Sequence, residues 1–370
     1  MRSIRKSALS LLLCLALIAG SAALPVLAEE PTWKVGDKAE GFVVTQLSRL
    51  DLVNADVTML EHEKTGAIVM LLQNEDNNRV FDISFRTPVS DDMGVPHIFE
   101  HATLNGSKKY PSQSLFFNLV YQTYNTFMNA MTGPQVTTYP VASLSEVQLL
   151  KYADFYTDSV FNPMIMEDEG IFREEAWRYA LTDKGAPLTM LGTVYSEMSG
   201  SYDIHSAGYF DFRAALFPGS QAGNYFGGKP AHIPEMTWEH LKDFHHAWYH
   251  PSNSLTTLYG KVEDPSAFLS LLNGYFSAYE KKEFTFDDPG HTPISAPVEA
   301  QVQFPVEAGS NTDKGSAVYF GYAMGDATPE DRTALTLLST LLNETSSPFQ
   351  QAMKVQLPAA TASVTFDTLT

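Results

Sequence analysis

The chain has 370 residues, of which 43 are acidic and 24 basic, and its formal charge of −19 argues against a nucleic acid as partner. With 44% hydrophobic and 12% aromatic residues it can bury one full core and part of another. A single cysteine, Cys14, leaves no disulfide to rely on, so stability has to come from packing.

Residues 1–28 read as a secretory signal. Arg2, Arg5 and Lys6 precede an apolar run from Leu11 to Ala19, and Val26-Leu27-Ala28 offers a small-residue cleavage site. The run is shorter than the roughly 20 residues of a spanning helix, so no stable membrane anchor is expected after cleavage. The sequence therefore predicts an exported protein, secreted, periplasmic or held in the cell envelope. Cys14 lies inside this segment, which leaves the mature chain without a thiol nucleophile.

Beyond it, Val43–Leu47, Val57–Glu61, Ala67–Leu72 and Val80–Arg86 have the composition of short strands, the second and third joined by the turn Glu63-Lys64-Thr65-Gly66. Apolar residues at three- and four-residue spacing predict helices at Leu144–Phe161, Glu167–Tyr179, Gly192–Leu216 and Trp238–Trp248. A strand at Ser254–Tyr259 and a helix at Pro265–Tyr279 close this unit. The pattern is α+β, an antiparallel or mixed sheet with helices packed on one face. Residues 281–297, rich in proline and charge, read as a linker between a catalytic domain at 29–280 and a partial second domain at 298–370. In that second part Ser316–Met324 looks like a strand. Ala334, Leu337, Leu338, Leu341 and Leu342 form a helical stripe.

The most informative segment is His97-Ile98-Phe99-Glu100-His101. On a helix, His97 and His101 lie one turn apart on one face, where two neutral imidazoles can share a tetrahedral Zn²⁺. Glu100 beside them can take a proton from water at the metal's open position, and His-x-x-Glu-His is the order of the inverted zinc peptidases. Gly94 and Pro96 mark the helix start, and the polar stretch Asn105–Lys109, with Gly106, marks its end. Two histidines leave zinc short of a ligand. Glu197, flanked by Val194 and Met198 at helical spacing, is the best downstream acid, although spacing alone equally allows a solvent-facing side chain. His245, His246 and His250 form a rival cluster, but no acid near them occupies the base position.

These residues resemble the M16 zinc metallopeptidases, the insulinase or pitrilysin group, and most closely their presequence-protease branch. The likeness runs through Leu104–Pro111, Asn125–Thr132, Thr137–Ser143, Phe172–Tyr179, Tyr195–Met198 and Pro230–Ser254, in the family's order. It implies a zinc metalloendopeptidase of oligopeptides, with one Zn²⁺ per chain on His97, His101 and Glu197, and Glu100 as general base. It implies a catalytic role near the site for Glu175, rather than Glu174, orienting a histidine or assisting proton transfer. It places Asn129 and Ala130 on a strand edge where an extended peptide pairs through its backbone. Relatives in this branch are far longer, and a second half contributes an arginine and a tyrosine to catalysis. A fragment, or a chain needing a partner to supply that half, is expected to bind zinc and cleave peptides poorly. The competing reading is a non-catalytic scaffold on the same fold, which the presence of all four residues disfavours.

Overall fold

The computed structural model describes residues 33–286, 296–304, 306, 309–313, 315–325, 327–358 and 360–367. The expected signal at 1–28 and residues 287–295 of the expected linker lie outside them. The chain falls into two units, Met1–Lys34 and Val35–Thr370, and every element named below belongs to the second.

Four strands, β1 (Lys38–Ala39), β2 (Phe42–Leu50), β3 (Ala55–His62) and β4 (Ile68–Gln73), run as an antiparallel meander. Next come β5 (Arg79–Arg86), β6 (Asn125–Met128), β7 (Met131–Thr132), β8 (Val136–Ser143) and β11 (Ser254–Gly260), and all nine form one sheet. Its order is β1-β2-β3-β4-β11-β5-β8-β6, with β7 also on β8. Strand β11 pairs parallel with β4 and antiparallel with β5, so the sheet is mixed. Successive side chains of a strand point to opposite faces. On one face Val69, Leu71, Phe81, Ile83, Phe85, Tyr139 and Val141 are fully sealed, while their neighbours keep partial contact with water.

Helices cover the sealed face. Helix α1 (Val95–Thr103) follows β5, and α2 (Leu115–Gln122) precedes β6. Helix α3 (Glu146–Phe161) crosses β5 and β8, burying Leu149, Tyr152, Ala153, Tyr156 and Val160 at helical spacing. Ser145 starts it by accepting the Gln148 N–H, a cap that satisfies one of the helix's open donors. Then follow α4 (Glu169–Glu175), α5 (Thr193–Ser201), α6 (Ile204–Leu216), α7 (Trp238–Trp248) and α8 (Pro265–Phe276). A two-stranded ribbon, β9 (Arg178–Ala180) with β10 (Thr189–Leu191), lies between α4 and α5. The architecture is α+β, as the sequence pattern predicts.

Three expectations change. The pattern at Gly192–Leu216 is two helices, because Asp203 accepts the N–H groups of His205 and Ser206 while Ser206 bonds back to it, and this capping box begins α6 anew. Helix α4 stops at Glu175, since the backbone turns at Ala176 and Arg178 enters β9. Ser316–Met324 joins no sheet among the described residues. Tyr319 stacks on Phe212 and donates to the His205 carbonyl, which leaves Phe320 and Tyr322 90% and 91% exposed on the opposite side. The expected stripe does lie on a helix, α9 (Pro329–Asn343), followed by α10 (Pro348–Gln356), but neither buries a residue.

Two histidines outside the motif, His62 and His245, have structural duties. His62 bridges Thr65 and Asn273. His245 is packed against Phe99 and Tyr249, and its Nε2 donates to the Val160 carbonyl. Burial pushes its pKa down to about 4, an effect that the Val160 bond only partly opposes and His246 reinforces. An unfolded histidine titrates near 6.5, so the unfolded chain binds this proton first as pH falls. The contribution of His245 to stability is therefore complete above pH 6.5 and is lost between 6.5 and about 4, on the order of 3 kcal/mol in all. Urea unfolding at pH 4.5 and 7.5 should show a smaller difference in stability for His245→Phe than for wild type; an equal difference would mean that folding leaves the pKa of His245 unchanged.

Candidate metal and catalytic site

Gly94, at φ +75°, caps α1, and Pro96 sits in its first turn where a missing N–H costs nothing. Ile98, Phe99 and Ala102 are fully buried and turn that side of α1 to the core, with Phe99 between Phe244 and Tyr249. His97 and His101 are thereby turned to the opposite side, their ring centres 5.0 Å apart and the planes nearly perpendicular at 85°.

Each imidazole is held by its Nδ1. His97 Nδ1 donates to the Gly227 carbonyl at 3.2 Å, and His101 Nδ1 lies 3.4 Å from Glu175 Oε2. The other oxygen of Glu175 accepts from Asn105 Nδ2 at 2.9 Å, which fixes the carboxylate in turn. With Nδ1 engaged, the lone pair of a neutral imidazole is on Nε2. Both Nε2 atoms face Glu197 Oε2, at 3.8 Å from His97 and 3.7 Å from His101. Among the described residues one group of histidine and acidic side chains brings its donor atoms within 4.8 Å of one another, and it is His97, His101 and Glu197. Two imidazoles and a carboxylate, with the second nitrogen of each ring occupied, form a donor set that fits Zn²⁺.

Burial would push the His101 pKa down, but the hydrogen bond it donates to Glu175 and the charges of Glu100, Glu175 and Glu197 outweigh it and hold the imidazole above its ordinary value. Glu100 is nearly sealed, and its Oε2 accepts from Thr132 Oγ1 at 2.7 Å. Glu175 is buried and Glu174 exposed, as the aromatic context of the sequence suggests. Glu197 departs from its expected apolar setting. Val194 and Met198 are sealed under α5, yet the Glu197 side chain is 52% exposed, because it stands at the border of that face, on the rim of the cleft.

The cleft encloses about 410 Å³ and joins these residues to Asn129 and Ala130. Those two occupy the break between β6 and β7 rather than a continuous strand. Asn129 still pairs inward, its N–H donating to the Pro140 carbonyl and its own carbonyl accepting from the Tyr156 hydroxyl. Strand β6 ends the sheet order, so the side of this break away from β8 is an edge.

The rival histidines do not converge. His245 is a core residue, and His250 accepts the Ser252 N–H. Sequence reasoning gave no role to Thr132 or Asn105, which lie inside segments it singled out, or to Gly227. Gly227 contributes a main-chain carbonyl, for which side-chain chemistry leaves no signal.

Residues 88–183 match the family model described as Insulinase (Peptidase family M16), and residues 235–369 the one described as Peptidase M16 inactive domain. Protein HypA of Clostridium perfringens is 33% identical over 316 residues, covering 85% of this chain and 32% of that protein. The chain belongs to the M16 peptidase family. Two further M16-like relatives are Presequence protease 1, chloroplastic/mitochondrial, of Arabidopsis thaliana, and the mitochondrial presequence protease of Mus musculus. The first is 38% identical over 248 residues (66% of this chain, 23% of the relative) and the second 32% over 328 (87% and 32%). The chain thus spans about a third or less of the length of these relatives. The crystal structure of pitrilysin shares the fold, with a TM-score of 0.53 and 18% identity over 70% of this chain and 26% of that one.

The expectation of an exported protein is corrected by these relatives. The presequence proteases among them are mitochondrial or chloroplastic by name rather than secreted, so the signal reading of residues 1–28 is not supported. Among the described residues no helix is long and apolar enough to cross a membrane.

Proposed function

We propose that this chain is a zinc-dependent metalloendopeptidase that hydrolyses peptide bonds in extended oligopeptides. The observation that carries this reading is the convergence of His97 Nε2, His101 Nε2 and a Glu197 carboxylate oxygen beside the buried carboxylate of Glu100. In this reading His97, His101 and Glu197 hold one Zn²⁺, which when bound supplies Lewis acidity that makes water more acidic and polarises a carbonyl. Residues 29–280 are the catalytic unit. Residues 298–370 belong to a second M16-type unit, a division supported by two separate family models although the second match begins at 235.

An extended substrate lies along the open edge at Asn129 and Ala130, pairing through its main chain, which tolerates many sequences. Glu100 is oriented by the Thr132 hydroxyl, which occupies one oxygen and leaves the other for chemistry. It accepts a proton as water adds to the scissile carbonyl carbon, then gives that proton to the departing nitrogen. Glu175 does not reach the cleft in this arrangement. It acts through His101, keeping the Nε2 lone pair directed at Glu197.

Elemental analysis should find near one zinc per chain in wild type and a large loss in Glu197→Ala; zinc in neither protein would remove the three-ligand site. Glu100→Gln, which keeps the shape of the side chain and removes no ligand atom, should retain zinc while hydrolysis of an unstructured oligopeptide falls by about a hundredfold or more. Undiminished hydrolysis in that variant would exclude Glu100 as the base.

A further inference from the structure

From the packing of two loops around His97, we infer that Lys229 and Asp92 are positioning residues, clamping the Gly227 carbonyl onto His97 Nδ1 and so setting how tightly the site holds a divalent metal. The inference rests on the zinc reading given above. The loop ahead of α1, residues 90–94, and the loop at 224–229 are joined at three points around Asp92. Its Oδ1 accepts the Tyr225 N–H at 2.8 Å, its Oδ2 lies 3.0 Å from Lys229 Nζ, and its main-chain carbonyl accepts the Lys229 N–H at 2.8 Å. Lys229 Nζ also reaches Asp211 Oδ1 on α6 at 3.4 Å. Its side chain is only 11% exposed, and burial would push its pKa down, but the two carboxylates more than reverse this. A lysine removed from water in this way is stable only while its partners stay in place.

Between these bonds the two backbones meet through glycines. A Cβ on Gly94 would come within 2.7 Å of the Gly227 carbonyl oxygen, and one on Gly228, at φ +90°, within 2.9 Å of the Met93 carbonyl oxygen. Neither position has room for a side chain. The close approach brings the Gly227 carbonyl to 3.2 Å from His97 Nδ1, a bond that selects the tautomer and the ring orientation. Lys229 touches neither the cleft nor a candidate ligand atom. Its effect passes through two residues of backbone to the carbonyl of Gly227.

The test compares zinc affinity, by competition with a chromogenic chelator, in wild type, His97→Ala, Lys229→Met and Lys229→Arg. Unfolding of the metal-free chains is followed in parallel. Wild type should bind and His97→Ala should not. Lys229→Met should bind about 10- to 100-fold more weakly, with an altered visible spectrum when loaded with Co²⁺, and Lys229→Arg should recover most of the affinity. Should Lys229→Met not fold, Asp92→Asn carries the same expectation, since it keeps an acceptor for Tyr225 and removes the charge. A folded variant with wild-type zinc affinity and Co²⁺ spectrum overturns the clamp and leaves the zinc reading standing. No zinc binding by wild type overturns both.

Discussion

Burial of Ile98, Phe99 and Ala102 fixes the rotation of α1 about its axis, and the polar chemistry of the site follows from that rotation. With 100° between successive residues, sealing these three against the core leaves His97 and His101 together on the remaining face. Glu100 falls between the two sides, where it is both nearly buried and within reach of Thr132. A helix of nine residues has little intrinsic stability, so its orientation depends on tertiary contacts. Phe244, His245 and Tyr249 provide them, which makes α7 as much a part of the site as the strands that border the cleft.

The site is assembled from distant parts of the chain. Residues 97–101 contribute the imidazoles, 129–132 one wall of the cleft, 175 and 197 the carboxylates, and 227 a carbonyl. Each imidazole is anchored differently, one by a neutral main-chain oxygen and the other by a buried carboxylate. The charged anchor helps to hold the His101 imidazole above its ordinary value.

Much of this was legible before any coordinates. Strand-like composition and the turn at 63–66 gave the strands β2 to β5 within a few residues, and helical patterns gave α3, α7 and α8. The histidine helix was readable because its chemistry is contiguous in sequence. Glu197 was not decidable from spacing, since its place at the border of an apolar face is a matter of a fraction of a turn. Helix α2 was not picked out: Leu115, Phe116, Phe117, Leu119 and Val120 do lie away from Asn118 and Gln122, but eight residues give only two turns of that pattern. The break at Asp203 was missed because a capping box inside a long apolar pattern looks like an ordinary polar interruption. The strand expected at Ser316–Met324 pairs with no other strand among the described residues, and strand-like composition alone does not make a ladder.

The position of β11 has a consequence for the order in which the molecule can be built. It lies between β4 and β5, which are adjacent in sequence, yet it is made from residues 254–260, 254 − 86 = 168 residues after β5 ends. Until that segment leaves the ribosome, the meander of β1 to β4 and the block of β5, β6 and β8 have no common edge. A chain at that stage holds two half-sheets, each with an open strand. The central seam is closed by the strand pairing of greatest sequence separation, and such non-local pairing is the slow kind. During synthesis the histidine segment is therefore made well before the helix and the continuous sheet that will support it.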